Sequence, residues 1–212
     1  MTKRNPENER AKRGYFNYLR NAKGKDDSTI DKVAAAILRY EKSTNFKSFR
    51  QFHLEDVNRF KRQFIKEKSE KTGVPLAAAT VDAGLRMIKA FFEWLAGQQG
   101  YKSRIKLPDT IYFNNNAKDA RIAKAKREIP YPSLEQCAHA FNQMPNATLV
   151  ERRNKAGFAL LMITGARDSA LTSLRLKHVD LVEKQIFQDA REVRTKNSKT
   201  FYTWRPQHKA HF

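Results

Sequence analysis

The sequence predicts a mainly α-helical protein of two units, the first wholly helical and the second ending in a small β-hairpin. Three observations predict it. Apolar residues recur at helical spacing from Ile30 to Leu95, the periodicity lapses between Lys102 and Glu128, and beyond Asp180 it gives way to short alternating runs. With 212 residues, 40% of them hydrophobic, the chain is long enough to bury two small cores.

Residues 1–27 are dominated by Lys, Arg, Asn and Asp, with Tyr15, Phe16, Tyr18 and Leu19 as the apolar cluster. They read as a basic arm holding one or two helical turns. Ser28 followed by Asp31 resembles a capping box, and Ile30, Val33, Ile37 and Tyr40 then mark a helix over 29–42. In "HLEDVNRFKRQFIKEKSEKTG", Val57, Phe60 and Phe64 turn inward, Lys61, Arg62, Lys66 and Lys68 remain for the other faces, and Gly73 and Pro75 stop the helix. A third helix over 77–97 carries the strongest pattern: Val81, Leu85, Ile88, Phe92 and Leu95, widened by Met87, Phe91 and Trp94, as the central helix of a bundle requires. Residues 28–106 therefore form one helical unit.

Residues 107–128 mix Pro, an Asn run and clustered Lys and Arg, and read as a basic linker. The second unit, 129–212, opens with Ser133 and Gln136 as a capping box and Leu134, Cys137, Phe141 and Met144 as an apolar stripe. Cys137 is the single cysteine, which excludes an internal disulfide and a Cys-rich metal site, and it is expected as a small buried hydrophobe. A helix over 149–164 should end at Gly165. The runs "KQIFQ" and "REVRTKNSKTFYTW" look like strands, with Asn197-Ser198 as a tight turn between Lys196 and Lys199.

Forty-two Lys and Arg against 22 Asp and Glu give a net charge of +20, which points to a polyanionic partner. No apolar run approaches the ~18 residues of a membrane span, and no secretory signal or lipidation motif is visible. Nucleic acid and a cytoplasmic setting are the expectation. There is no glycine-rich phosphate loop, and His208 and His211 have no acidic or Cys neighbour to complete a metal site, so no cofactor is expected. One residue carries more than charge. In "MITGARDSALTSLRLKHVDL", Arg167 follows a Thr-Gly turn and opens a helix; taken alone it reads first as a surface cation at a helix start, with a phosphate ligand as the alternative.

Three segments resemble the tyrosine recombinases, or phage-type integrases. "LRMIKAFFEWLAGQQGY" looks like the last main helix of their core-binding domain, "ITGARDSALTSLRLKHVDL" is similar to their first catalytic box, and "VRTKNSKTF" matches their hairpin-lysine segment. The resemblance covers about 28–204. It implies a SAM-like helical core-binding domain followed by a partial α+β catalytic domain, acting on double-stranded DNA in integration and recombination of a phage or mobile element in the bacterial nucleoid, with self-assembly on DNA. It implies that Arg167 holds the non-bridging oxygens of the scissile phosphate and that Lys196 protonates the departing 5′ oxygen. Lys199 is the rival; Lys196 is preferred because it follows Thr195. Arg86 and Lys89 on the polar side of the third helix, with Lys61, Arg62 and Lys199, are the expected DNA contacts, a solvated face being the alternative. The chemistry is sound, since phosphoryl transfer builds charge on equatorial oxygens that a guanidinium fork, backed by N–H groups of a helix start, can hold.

The departures matter as much. Ala170 stands where the family often has an acidic residue, and the adjacent Asp168 points elsewhere on a helix. The family's His-x-x-Arg box does not occur: His53, His139, His178, His208 and His211 all lack an arginine three positions on. Tyr202 lies in the returning hairpin strand, too early for the nucleophile. The second unit thus reads as the first part of a truncated catalytic domain that binds DNA, does not cleave it alone, and exposes apolar surface. A non-enzymatic DNA-binding protein on an integrase scaffold is the alternative, and RNA binding, suggested by charge alone, ranks below both.

Overall fold

The computed structural model describes residues 4–125, 128–195 and 199–204, and the chain divides into two compact units, Met1–Arg127 and Glu128–Phe212. The protein is mainly helical, with one small three-stranded antiparallel sheet.

In the first unit, helices α1 (Pro6–Asn21), α2 (Asp27–Ser43), α3 (Leu54–Lys66), α4 (Ala78–Ala96) and α5 (Ala117–Lys124) are joined by 3-10 turns at Phe49–Gln51 and Leu107–Phe113. The periodicity of α4 explains its place. Val81, Leu85, Ile88, Phe92 and Leu95 are all buried, and so is Phe91 of the second stripe, so α4 has apolar surface for α1, α2, α3, α5 and the second 3-10 turn together. The Phe92 ring sits 5.0 to 5.7 Å from those of Tyr40, Phe49, Phe52, Phe91 and Phe113, several of them edge to face. Gly84 lets α3 come close: a Cβ there would lie 2.7 Å from the Phe64 ring.

Residues 6–21 are not an arm. Asn5 accepts hydrogen bonds from the N–H groups of Glu7 and Asn8, Pro6 occupies the first turn, and α1 buries Tyr15 and Leu19 against the core. Its polar anchor is equally important. The Asn8 amide donates to Glu41 (3.1 Å) and to the Lys47 carbonyl (2.9 Å) and accepts from Phe49 N–H (3.0 Å), while Lys12 pairs with Glu41 at 2.7 Å. Polar residues that bury by pairing carry no apolar period, which is why the arm reading failed. Two smaller corrections concern helix ends. The cap of α2 is Asp26, accepting from Thr29 N–H at 2.8 Å, rather than Ser28. Helix α3 stops at Lys66, well before Gly73, which turns a loop closed by Ser69 and Val74.

Nor are residues 107–124 a linker. Phe113 and Thr110 are buried in the first core and α5 lies on α4. A single anchoring aromatic in polar sequence leaves no periodic trace.

The second unit comprises α6 (Leu134–Gln143), α7 (Leu149–Thr164), α8 (Asp168–Ser173), a 3-10 turn at Leu176–His178, and strands β1 (Val179–Asp180), β2 (Gln185–Gln188) and β3 (Phe201–Trp204), ordered β1-β2-β3. Capping boxes open α6 (Ser133, Gln136) and α7 (Thr148, Glu151). The hairpin differs from the expected one. β3 pairs with β2, Ile186 opposite Thr203 and Gln188 opposite Phe201, whereas residues 190–193 form a turn and not a strand. The expected tip, Lys196 to Ser198, lies outside the described residues. Among the described residues neither α6 nor α7 buries a side chain: Leu134 is 80% and Leu149 81% exposed, and Cys137 is half-buried rather than buried, because no element of this unit covers those faces. No described helix is long and apolar enough to cross a membrane.

Candidate nucleic-acid interface and active site

The local chain path at Arg167 is set by its two predecessors. Gly165 ends α7 in the left-handed region, φ 60°, donating to the Leu161 carbonyl at 2.8 Å. The Thr164 hydroxyl donates to Leu160 O (2.7 Å) and accepts from Ala166 N–H (3.1 Å), which holds the turn in one geometry. Arg167 follows as the N-cap of α8; its carbonyl accepts from Leu171 N–H at 2.9 Å, and its exposed side chain has no hydrogen bond or ion pair among the described residues.

The expected help from the helix start is absent. Helix α8 has six residues, and Asp168 takes the Ser169 N–H at 2.7 Å, so the first turn already holds its own carboxylate. Ala170, in place of the family's acid, is buried and lines the same small cavity of about 130 Å³, together with Thr164, Arg167, Gln188, Thr195 and Phe201.

The segment 189–195 is brought to this cavity by a dense set of polar contacts. Asp189 accepts from the Arg191 backbone N–H (2.9 Å) and its guanidinium (2.6 Å), and that hydrogen-bonded pairing holds its carboxyl down at about 2. Its carbonyl receives the N–H groups of Glu192 and Val193, and Val193 is buried. Glu192 bridges Lys177 (2.7 Å) and His178 (2.9 Å), which lower its pKa in that order. The buried His178 accepts Arg175 N–H on Nδ1 (3.0 Å), so its proton sits on Nε2 and donates to Glu192. Arg194 N–H donates to the Ser173 hydroxyl at 2.9 Å, tying the segment to α8 itself. Thr195 thereby lines the same cavity as Arg167. Its hydroxyl oxygen is buried and has no partner, the one such side-chain atom among the described residues.

Lys196, the next residue, lies outside the described residues, whereas Lys199 is described and exposed. The other candidate cations differ in their present engagement. Lys61 donates to the Asn114 carbonyl at 2.6 Å, and burial lowers its pKa. Arg86 pairs with Asp82 (3.0 Å) and Lys89 with Glu93 (3.6 Å), both as i,i+4 neighbours on α4. Arg62 is exposed with no partner among the described residues. In each pair only one partner is well exposed: Arg86 stands over the buried Asp82, and the half-buried Lys89 reaches the exposed Glu93.

Tyr202 belongs to β3, its ring tilted against that of Phe187 with centroids 4.7 Å apart, a structural strand position. No cluster of His, Cys, Asp and Glu suited to a metal occurs among the described residues, and His208 and His211 lie outside them. Sequence reasoning missed Gln188, Thr195 and the His178–Glu192 pair. Their placement arises from contacts across the fold, which local sequence does not encode. No protein-family model, curated protein or solved structure matches this chain.

Proposed function

We propose that the chain is a DNA-binding part of a site-specific tyrosine recombinase of the integrase type, with an incomplete active site. In this reading the first unit is the SAM-like core-binding domain and the second the opening part of the catalytic domain. It acts on double-stranded DNA in the bacterial nucleoid, assembling in several copies on its site, in integration or recombination of a mobile element.

One observation carries the reading: Arg167 and the segment leading directly to the hairpin lysine meet at a single cavity, although they are remote in sequence. A phosphodiester seated there would meet the guanidinium fork of Arg167 and the side chain of Thr195. Arg167 would hold the non-bridging oxygens, and Lys196, or Lys199 from further along the same segment, would supply the proton to the leaving oxygen. The net charge of +20 supports the wider DNA footprint, to which Arg62, Arg86, Lys89, Lys61 and Lys199 contribute. Strand cleavage is not proposed for this chain by itself, since it holds no His-x-x-Arg box and Tyr202 is committed to the sheet. That same observation favours the second reading, a non-enzymatic DNA-binding protein on the same scaffold.

A gel-shift comparison of duplex DNA with structured RNA across a salt series tests the substrate class. Preferred duplex binding with a steep salt slope is expected, and a preference for RNA would overturn the proposal. The two DNA readings separate when the 162–181 segment is grafted into a complete recombinase: Arg167→Ala in that graft should abolish cleavage and spare most DNA affinity. An unaffected cleavage rate would remove Arg167 from the active site.

A further inference from the structure

We infer that Thr195 is a ligand-positioning residue, its hydroxyl donating to the same tetrahedral oxyanion that Arg167 holds; this rests on the phosphate reading of the Arg167 cavity. The argument starts from an energetic anomaly. A buried hydroxyl without a partner is destabilising, and native chains rarely retain one that has no use. Thr195 retains it although the surrounding contacts are otherwise satisfied: its own N–H donates to Val193 O at 2.7 Å, and the preceding residue is tied to Ser173 and Ser169 of α8.

These contacts fix the backbone at the Arg194–Thr195 peptide, and Thr195 lines a cavity of about 130 Å³, well above the ~15 Å³ that one water needs. Gln188 lines the cavity as well, buried and anchored through its Nε2 to the Thr203 hydroxyl at 2.5 Å. Arg167 stands beside it with five donors and no carboxylate partner among the described residues. A group in this space therefore meets a guanidinium, one unused hydroxyl donor and no acidic side chain among the residues that line it. That donor set suits an oxyanion of phosphate size. The cation attracts the charge, and the hydroxyl, held by a rigid turn, selects one oxygen and fixes its orientation.

The inference makes two expectations of opposite sign for one substitution. Thr195→Val keeps the shape and removes the hydroxyl. Without ligand the full chain should melt at the same temperature or higher, since an unpartnered polar atom has been replaced by a methyl group. Inorganic phosphate, titrated while the backbone amides of Gly165, Ala166, Ala170 and Thr195 are followed by NMR, should bind about ten-fold more weakly or worse, the size expected for one hydrogen bond to a charged group. Thr195→Ser should restore affinity, and Arg167→Ala should remove the shifts at these amides. The same order should hold for a short duplex DNA.

The outcomes are distinguishable. Phosphate affinity unchanged in Thr195→Val, but lost in Arg167→Ala, overturns the role of Thr195 and leaves the phosphate site standing; the hydroxyl then serves an ordered water. A lower melting temperature for Thr195→Val also overturns it, because the hydroxyl would then be partnered in the free protein. Phosphate that shifts none of these amides in the unsubstituted chain overturns the phosphate reading, and the inference with it.

Discussion

Replacing Glu41 with Ala should loosen α1 from the first unit, and the contacts give the size of the loss. Glu41 is fully buried and serves two partners, the Lys12 ammonium at 2.7 Å and the Asn8 amide at 3.1 Å. Its removal leaves Lys12, whose side chain is 12% exposed, with only Glu9 on its own helix, and deprives Asn8 of one acceptor. Breaking a buried pair from one side costs about 3–5 kcal/mol, chiefly because the surviving charge stays desolvated. Domain stabilities are about 5–15 kcal/mol, so this is a large share. At roughly 4 °C per kcal/mol for a unit of this size, the melting temperature should fall by about 12–20 °C. Removing both charges together, in Lys12→Met with Glu41→Leu, should cost far less, because apolar groups of similar volume leave no orphaned ion. Trp94 reports the event directly, since its ring lies 5.2 Å from Tyr15 of α1. Urea unfolding followed by indole fluorescence, in a Trp204→Phe background, measures both variants. A loss below about 1 kcal/mol for Glu41→Ala would refute the claim that this network docks α1. The pair also has a pH signature. Burial pulls the Lys12 pKa down, but its hydrogen bonds to Glu41 and Glu9 prevail and the net shift is upward. A raised value means the stabilisation is complete below the unfolded lysine pKa of about 10.4 and drains away as pH rises through the folded value. From neutral pH upward, the stability gap between the unsubstituted chain and the double variant should stay constant to about pH 10 and change above it.

Further outcomes follow from single contacts. Gly84→Ala should destabilise by about 1–3 kcal/mol in urea unfolding, because the new methyl meets the buried Phe64 ring at 2.7 Å and outweighs the gain in helix propensity; a more stable variant would show that α3 and α4 separate freely. Gly165→Ala should cost about 1–2 kcal/mol from left-handed backbone strain alone, as no atom lies within 4 Å of the added carbon, and Gly165→Asn should cost less; equal melting temperatures for all three would deny the αL cap. Asp189→Asn should loosen the 189–195 segment and raise amide hydrogen exchange at Val193 and Thr195. Because the Asp189 carboxyl is lowered to about 2 by Arg191, its stabilisation is present above the unfolded value of about 3.9 and is lost as pH falls towards 2. Exchange in the unsubstituted chain should therefore approach that of Asp189→Asn only in strong acid.

The helices that carry a regular apolar stripe were legible in the sequence. Val57, Phe60 and Phe64 on α3, and Val81 through Leu95 on α4, had to turn inward because nothing else in those segments could remove apolar surface from water. The end of α7 at Gly165 and the cap at Ser133 were equally local, each needing only a few neighbouring residues. The place of Arg167 after a Thr-Gly turn belongs to this class, so the sequence alone marked it as a candidate phosphate ligand.

Tertiary structure decided the rest. Asn8 and Lys12 look like arm residues until Glu41, remote in sequence, gives them a buried partner. Phe113 looks like linker until it meets Phe92 at 5.1 Å. Strand β3 took β2 as its neighbour and left residues 190–193 to a turn, because Asp189 and Glu192 found Arg191, Lys177 and His178. That choice is what carries Thr195, with its unpartnered hydroxyl, to the side of Arg167. Hydrophobic burial leaves a periodic imprint along the chain and can be read from it. Hydrogen bonds and ion pairs join residues whose separation in sequence has no period, so the cavity and its donors exist only once the chain has folded.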